Sequence, residues 1–125
     1  MTPLVFVALA AAGGLGASSR MLIDGLIKSG MSAALPWGTI IINVSGSLVL
    51  GLLTGLAGAN LLPEAWHLVL GTGFLGGYTT FSTASFETIR LLRERRWVAC
   101  LVNGLGTLVF ATATATIGMW LGGLA

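Results

Sequence analysis

Four side chains in one apolar stretch stand out for the chemistry they can do. Thr39, Asn43, Ser47 and Thr54 sit among Ile, Val, Leu and Gly, with no charged residue between Trp37 and Asn60. On a helix, steps of four and seven residues advance by about 40° and about −20°, so the four share one narrow face. Near the C-terminus Asn103, Thr107 and Thr114 repeat the pattern, while Thr112 and Thr116 form a second hydroxyl line roughly opposite. All are neutral groups whose N–H or O–H can donate to an anion. In an apolar medium they are costly unless paired or wetted. Two uses fit them. They can join neighbouring helices beside small residues such as Gly46, Gly51, Gly104 and Gly106, or they can replace the water around a small, hard anion with no fixed lysine nearby. Phe81 adds a ring whose edge carries the positive end of the aromatic quadrupole, so edge-on it can face an anion without trapping it. Packing in lipid or core is the other reading of an isolated Phe.

Composition defines the elements that must position these groups. Of 125 residues, 55% are hydrophobic and 8% charged, about a third of the charged share of a soluble domain. A bilayer-spanning helix takes roughly 20 residues. The length therefore predicts an all-α membrane protein, a single four-helix transmembrane domain over residues 1–125, with spans at about 3–23, 36–57, 67–92 and 97–121. Trp37, Trp66 and Trp97 suit the membrane–water boundaries. The opening run, which lacks a signal-peptidase pattern followed by a polar domain, reads as a retained first span. Asp24, Lys28 and the stretch to Pro36 read as a connection. In the third span, Gly71, Gly73, Gly76 and Gly77 precede Thr79 and Thr80, poor material for an unbroken helix. A break is expected near Gly77–Thr80. Irregular backbone at membrane depth needs protein or a watery cavity around it, and carbonyls freed there suit an ion site.

Several classes are excluded. One His, no paired carboxylates within a span and no nucleophile beside a base argue against an enzyme. His67 at a span boundary reads as interfacial. The net charge of +2 is small, with basic residues grouped at span ends, which speaks to orientation rather than to nucleic acid. Cys100 is alone and forms no intrachain bridge. With four spans, Arg20, Lys28, Arg90, Arg93, Arg95 and Arg96 all fall on one side, predicting cytoplasmic turns after the first and third spans and both termini outside.

Three groups of residues carry a family resemblance along nearly the whole chain. They are Gly13-Gly14-Leu15-Gly16-Ala17 with Arg20, Gly38-Thr39 with Asn43-Val44-Ser45-Gly46-Ser47, and Gly73-Phe74-Leu75-Gly76-Gly77-Tyr78-Thr79-Thr80-Phe81-Ser82-Thr83 with Glu87. In order and spacing they resemble the Fluc/CrcB fluoride channels. The glycine cluster alone is no dinucleotide fingerprint, since Ser19 stands where a third glycine belongs. The resemblance implies an inverted, antiparallel dimer with two narrow fluoride pores and a structural, untransported sodium ion at its centre. It further implies passive export of fluoride across the cell membrane that relieves fluoride toxicity. By similarity, main-chain carbonyls of Gly77 and Thr80 hold the sodium. Asn43, Phe81, Thr107 and Ser47 belong to the fluoride path, and Arg20 matches a vestibule arginine. Glu87 matches a polar position near the pore, although Arg90 at i+3 offers it a partner.

The chain departs from the family pattern where a second pore phenylalanine is common and Ala84 stands instead. Phe86 does not replace it, because two further residues turn the side chain by about 200°. Asn103 stands where many relatives have Tyr, and Ala111 where some have a hydroxyl. A chain inserted equally both ways would show little charge bias, so the bias of this one predicts pairing with an oppositely oriented homologue that supplies the missing Phe to at least one pore. Two other readings are a small proton-coupled exporter, which needs a carboxylate in mid-membrane, and a structural partner subunit of a heterodimeric fluoride channel, which Ala84 keeps open. The first span has no such carboxylate, and Asp24 lies too near its end.

Overall fold

The computed structural model describes residues 2–30 and 35–124, with Ser82 described by its backbone alone. The first helix, Pro3–Gly30, continues past the expected end near Ile23. The reason is local: Lys28 Nζ pairs with Asp24 Oδ2 at 2.9 Å one turn earlier, and the lysine sits in the last turn, where the helix dipole favours a cation. The expected connection thus keeps only its last part, and residues 31–34 of it lie outside the described residues. The second helix is Trp37–Gly58. A third segment is helical over residues 64–78, extended at Thr79 (φ −81°, ψ 157°) and Thr80 (φ −146°, ψ 122°), and helical again over Phe81–Arg93. The fourth helix is Trp97–Leu124. Two stretches, Leu68–Leu75 and Val102–Gly106, are wound as π-helix. Among the described residues there is no strand.

The first, second and fourth helices are each long and apolar enough to cross a membrane. The halves of the third segment are each only about 20 Å long at 1.5 Å per residue, so a crossing needs both, end to end. Trp97 and Trp120 bracket the fourth helix and are 58% and 65% exposed. Their separation of about 34 Å along the axis is close to the roughly 30 Å of a hydrocarbon core.

The packing is the reverse of that in a soluble protein. Large apolar side chains such as Leu4, Phe6, Leu22, Leu108 and Phe110 lie on the surface, while Thr39, Glu87, Asn103 and Thr107 are buried. Without water to drive apolar burial, helices associate through close backbone approach and interhelical hydrogen bonds. The most extensive contact joins the second and fourth helices. Gly51 and Gly55 of one face Gly118 and Gly122 of the other. A Cβ at Gly51 would strike the Ala115 carbonyl, and one at Gly118 the Leu48 carbonyl. The upper half of the third segment, 64–78, packs on the first helix, and the lower half, Phe81–Arg93, on the start of the fourth.

The second helix and the lower half end in the same turn. Asn60 N–H donates to Ala57 O and Leu61 N–H to Leu56 O, at 3.1 and 2.9 Å. Arg95 N–H donates to Leu92 O and Arg96 N–H to Leu91 O, at 3.1 and 3.0 Å. This Schellman arrangement requires a left-handed residue, Asn60 (φ 61°) in one case and Arg95 (φ 57°) in the other. Asn tolerates that conformation, whereas for Arg it costs about 1–2 kcal/mol.

Gly118→Leu separates the second and fourth helices. The expected outcome is loss of the monodisperse peak in detergent size-exclusion chromatography, while Gly123→Leu, whose added Cβ meets nothing within 4 Å, keeps it.

Candidate functional site

The polar stripe of the second helix faces the third segment along most of its length. Thr39 Oγ1 donates to Glu87 Oε1 at 2.5 Å. Thr54 Oγ1 donates to Leu50 O at 2.8 Å and lies 3.1 Å from His67 Nε2. A hydroxyl has one proton, so the Thr54 oxygen accepts from His67 Nε2–H. His67 therefore ties the start of the third segment to the second helix. Glu87 is 6% exposed, and no ion pair joins it to Arg90 among the described residues. The expected i+3 pairing gives way to Thr39 because Glu87 points into the bundle, away from the outer rim where Arg90 lies exposed.

Asn43 sits opposite the break. Its Nδ2 donates to Thr80 O and its Oδ1 accepts from Thr80 N–H, both at 2.9 Å. In a continuous helix that N–H would go to Gly76 O, so the carboxamide substitutes for the missing helical turn in both directions. Local bonds finish the two ends. Thr79 N–H and Oγ1 both donate to Leu75 O, at 2.9 and 2.8 Å, and Thr80 Oγ1 accepts from Thr83 N–H at 3.2 Å. Half-helix ends of opposite polarity thereby meet at Thr79–Thr80.

Beside the break lies a cavity of about 540 Å³, lined by Asn43, Ser47, Thr80, Phe81, Ala84 and Thr107, together with Ser85, Thr88 and Asn103. Its donors are only partly engaged. Asn43 uses one of its two amide hydrogens on Thr80. The Thr107 hydroxyl oxygen is buried without a hydrogen-bond partner. Asn103, 2% exposed, spends Nδ2 on Thr88 Oγ1 (2.7 Å) and Ala84 O (3.3 Å). Thr88 Oγ1 in turn donates to Ala84 O at 2.8 Å. Asn103 thus holds the fourth helix against the lower half of the third segment. It stands inside the π-wound stretch that ends just before Thr107. Phe81 projects from the break and is 87% exposed.

Of the residues singled out from the sequence, Asn43, Ser47, Thr80, Phe81 and Thr107 meet at this cavity. Arg20 does not line it. Arg20 Nε donates to Gly77 O at 3.3 Å, on the first-helix side of the break. Ser85 and Thr88 were not singled out, although Phe81, Ala84, Ser85 and Thr88 follow the i, i+3, i+4, i+7 spacing of one helical face. Thr114 Oγ1 shares its one proton between Val44 O (3.1 Å) on the second helix and Ala111 O (3.0 Å) on its own. Thr116 returns its proton to Thr112 O at 2.9 Å.

Replacing Asn43 by Leu removes the two bonds it makes to the Thr80 N–H and C=O. A loss of about 2–5 kcal/mol of stability is expected, measured as a lower unfolding midpoint in detergent. Thr107→Val removes an oxygen without a partner and stays within about 1 kcal/mol of wild type.

A family model described as CrcB-like protein, Camphor Resistance (CrcB), matches residues 7–119. The chain is 54% identical over 125 residues to fluoride-specific ion channel FluC 1 of Leifsonia xyli subsp. xyli, covering 100% of this chain and 91% of that one. It is 42% identical over 120 residues to fluoride-specific ion channel FluC of Syntrophotalea carbinolica, covering 94% and 95%. It is 37% identical over 121 residues to fluoride-specific ion channel FluC 2 of Mycobacterium tuberculosis H37Rv, covering 97% and 93%. With a family model spanning most of its length and relatives matched end to end, the chain belongs to the CrcB family.

Proposed function

We propose that this chain is a subunit of a fluoride-specific ion channel that passively exports fluoride across the cell membrane and so lowers its toxicity. The observation that carries this reading is the set of unspent neutral donors around the cavity, above all the partnerless Thr107 hydroxyl. A small, strongly hydrated anion loses its water only where donors replace it, and hydroxyl and amide groups do so without the deep binding that a buried ammonium would impose. Asn43, Ser47 and Thr107 supply those donors, and the Phe81 ring edge adds a weak positive field at the mouth.

The channel is an antiparallel dimer of four-span subunits, and the 87% exposure of Phe81 supports a second chain beside the break. Sodium is the structural ion of that interface. The carbonyl oxygens of Gly77 and Thr80 are neutral, hard donors suited to such a cation. Each already accepts one hydrogen bond, from Arg20 and Asn43 respectively. Two oxygens fall short of the roughly six that a hard cation takes, so the site needs the partner's carbonyls as well. The one-sided placement of Arg20, Lys28, Arg90, Arg93, Arg95 and Arg96 supports a cytoplasmic location for those turns. It favours an oppositely inserted homologue as partner, whose phenylalanine fills the space beside Ala84. Proton-coupled exchange is the weaker reading, since Glu87 lies about 9 Å from the basic end of its helix and bonds to Thr39.

Fluoride release from liposomes, followed with an electrode against chloride release, tests the proposal. Flux is expected to be fluoride-selective, independent of a proton gradient, and abolished by Phe81→Ile. Full activity of this chain alone removes the need for a second one. Vesicles that stay tight to fluoride with both chains present would refute the channel itself.

A further inference from the structure

The turn that ends the third segment holds a feature that ion conduction does not require. Arg95 occupies the left-handed position of its Schellman turn (φ 57°), which Gly or Asn fills with far less strain. The matching turn after the second helix uses Asn60 at φ 61°. The helix dipole favours a cation at this end, but Arg90 and Arg93 in the last turn already supply it, so the strained position itself gives no reason for a third arginine.

Beside Arg95 runs a groove of about 530 Å³, whose lining includes Arg95, Arg96, Trp97, Val98, Ala99 and Val102. Its chemistry changes along its length. The guanidinium-bearing residues stand at one end, the exposed indole of Trp97 follows, and Val98 and Val102 continue down the fourth helix, 76% and 44% exposed. Among the described residues no carboxylate lines it. Trp97 to Val102 covers about 7.5 Å of helix rise, with Arg95 and Arg96 in the turn before it, a span from the headgroup level into the upper acyl region. A cationic end, an interfacial Trp and an open aliphatic trough match an anionic amphiphile and suit neither a peptide of mixed charge nor a free ion.

We infer that this groove is a binding site for one anionic phospholipid. Arg95 and Arg96 take the phosphate, and one acyl chain lies along Trp97, Val98 and Val102. The site is separate from the cavity at the helix break and shares no lining residue with it.

Native mass spectrometry of the full chain in detergent, with phosphatidylglycerol or phosphatidylcholine of the same acyl chains, tests this. One phosphatidylglycerol per chain is expected to be retained, roughly tenfold over phosphatidylcholine, as one or two cations near an anionic headgroup would give. Arg95→Gly relieves the strain and removes the charge together, so the unfolding temperature rises while phosphatidylglycerol retention falls. Val102→Trp fills the trough without changing charge and lowers retention as well. Arg93→Gln, a neighbouring cation outside the groove, leaves retention unchanged. Equal retention of the two lipids overturns the site, as does displacement of phosphatidylglycerol by millimolar inorganic phosphate. A loss in Arg93→Gln as large as that in Arg95→Gly would mean diffuse attraction, and no loss in Val102→Trp would mean a headgroup-only contact. A lower unfolding temperature for Arg95→Gly would refute the argument from strain.

Discussion

The reciprocal pair of hydrogen bonds between Asn43 and Thr80 is the contact on which the rest of the site depends. A helix that stops inside a membrane leaves N–H and C=O groups that lipid cannot satisfy, each worth several kcal/mol if abandoned. One carboxamide presents a donor and an acceptor at the spacing of a peptide group, so it closes both needs at Thr80. This makes an extended Thr79–Thr80 tolerable. It also sets Phe81 at the start of a new helix and turns the lower half onto the fourth helix. Asn43 retains one amide hydrogen for the cavity, and so serves the fold and the candidate path with the same group.

Close packing sets where the remaining donors point. Glycines bring the second and fourth helices within backbone contact, which fixes their mutual rotation. The π-wound Val102–Gly106 then shifts the phase of the fourth helix just before Thr107, and Asn103 locks that phase onto Thr88 and Ala84. The Thr107 hydroxyl is carried into the cavity without a partner, while Thr114 and Thr116 on the same helix give their protons to backbone carbonyls. The same residue type thus has two fates, decided by what stands opposite.

Two charged groups sit within the bundle, Glu87 on Thr39 and Arg20 on the Gly77 carbonyl; the others lie toward the helix ends. Lys28 steadies the last turn of the first helix and Arg95 accepts backbone strain, while neutral groups alone line the cavity.

The sequence determined the apolar spans, the polar face of the second helix, the weak helix material before Thr79 and the one-sided cations, because each is a matter of residue type and period along one chain. Membership of the CrcB family was legible for the same reason, since its motifs are local runs. Tertiary structure decided the rest. The polar stripe did not reveal that Thr39 would take Glu87 in place of Arg90. Arg20 could not be foreseen against the Gly77 carbonyl, nor could the first helix be seen to run on to Gly30 through the Lys28–Asp24 pair. Ser85 and Thr88 joined the cavity only when the lower half docked on the fourth helix. Hydrogen-bond partners across helices depend on rotation and depth, which interhelical packing sets and which no single helical period contains.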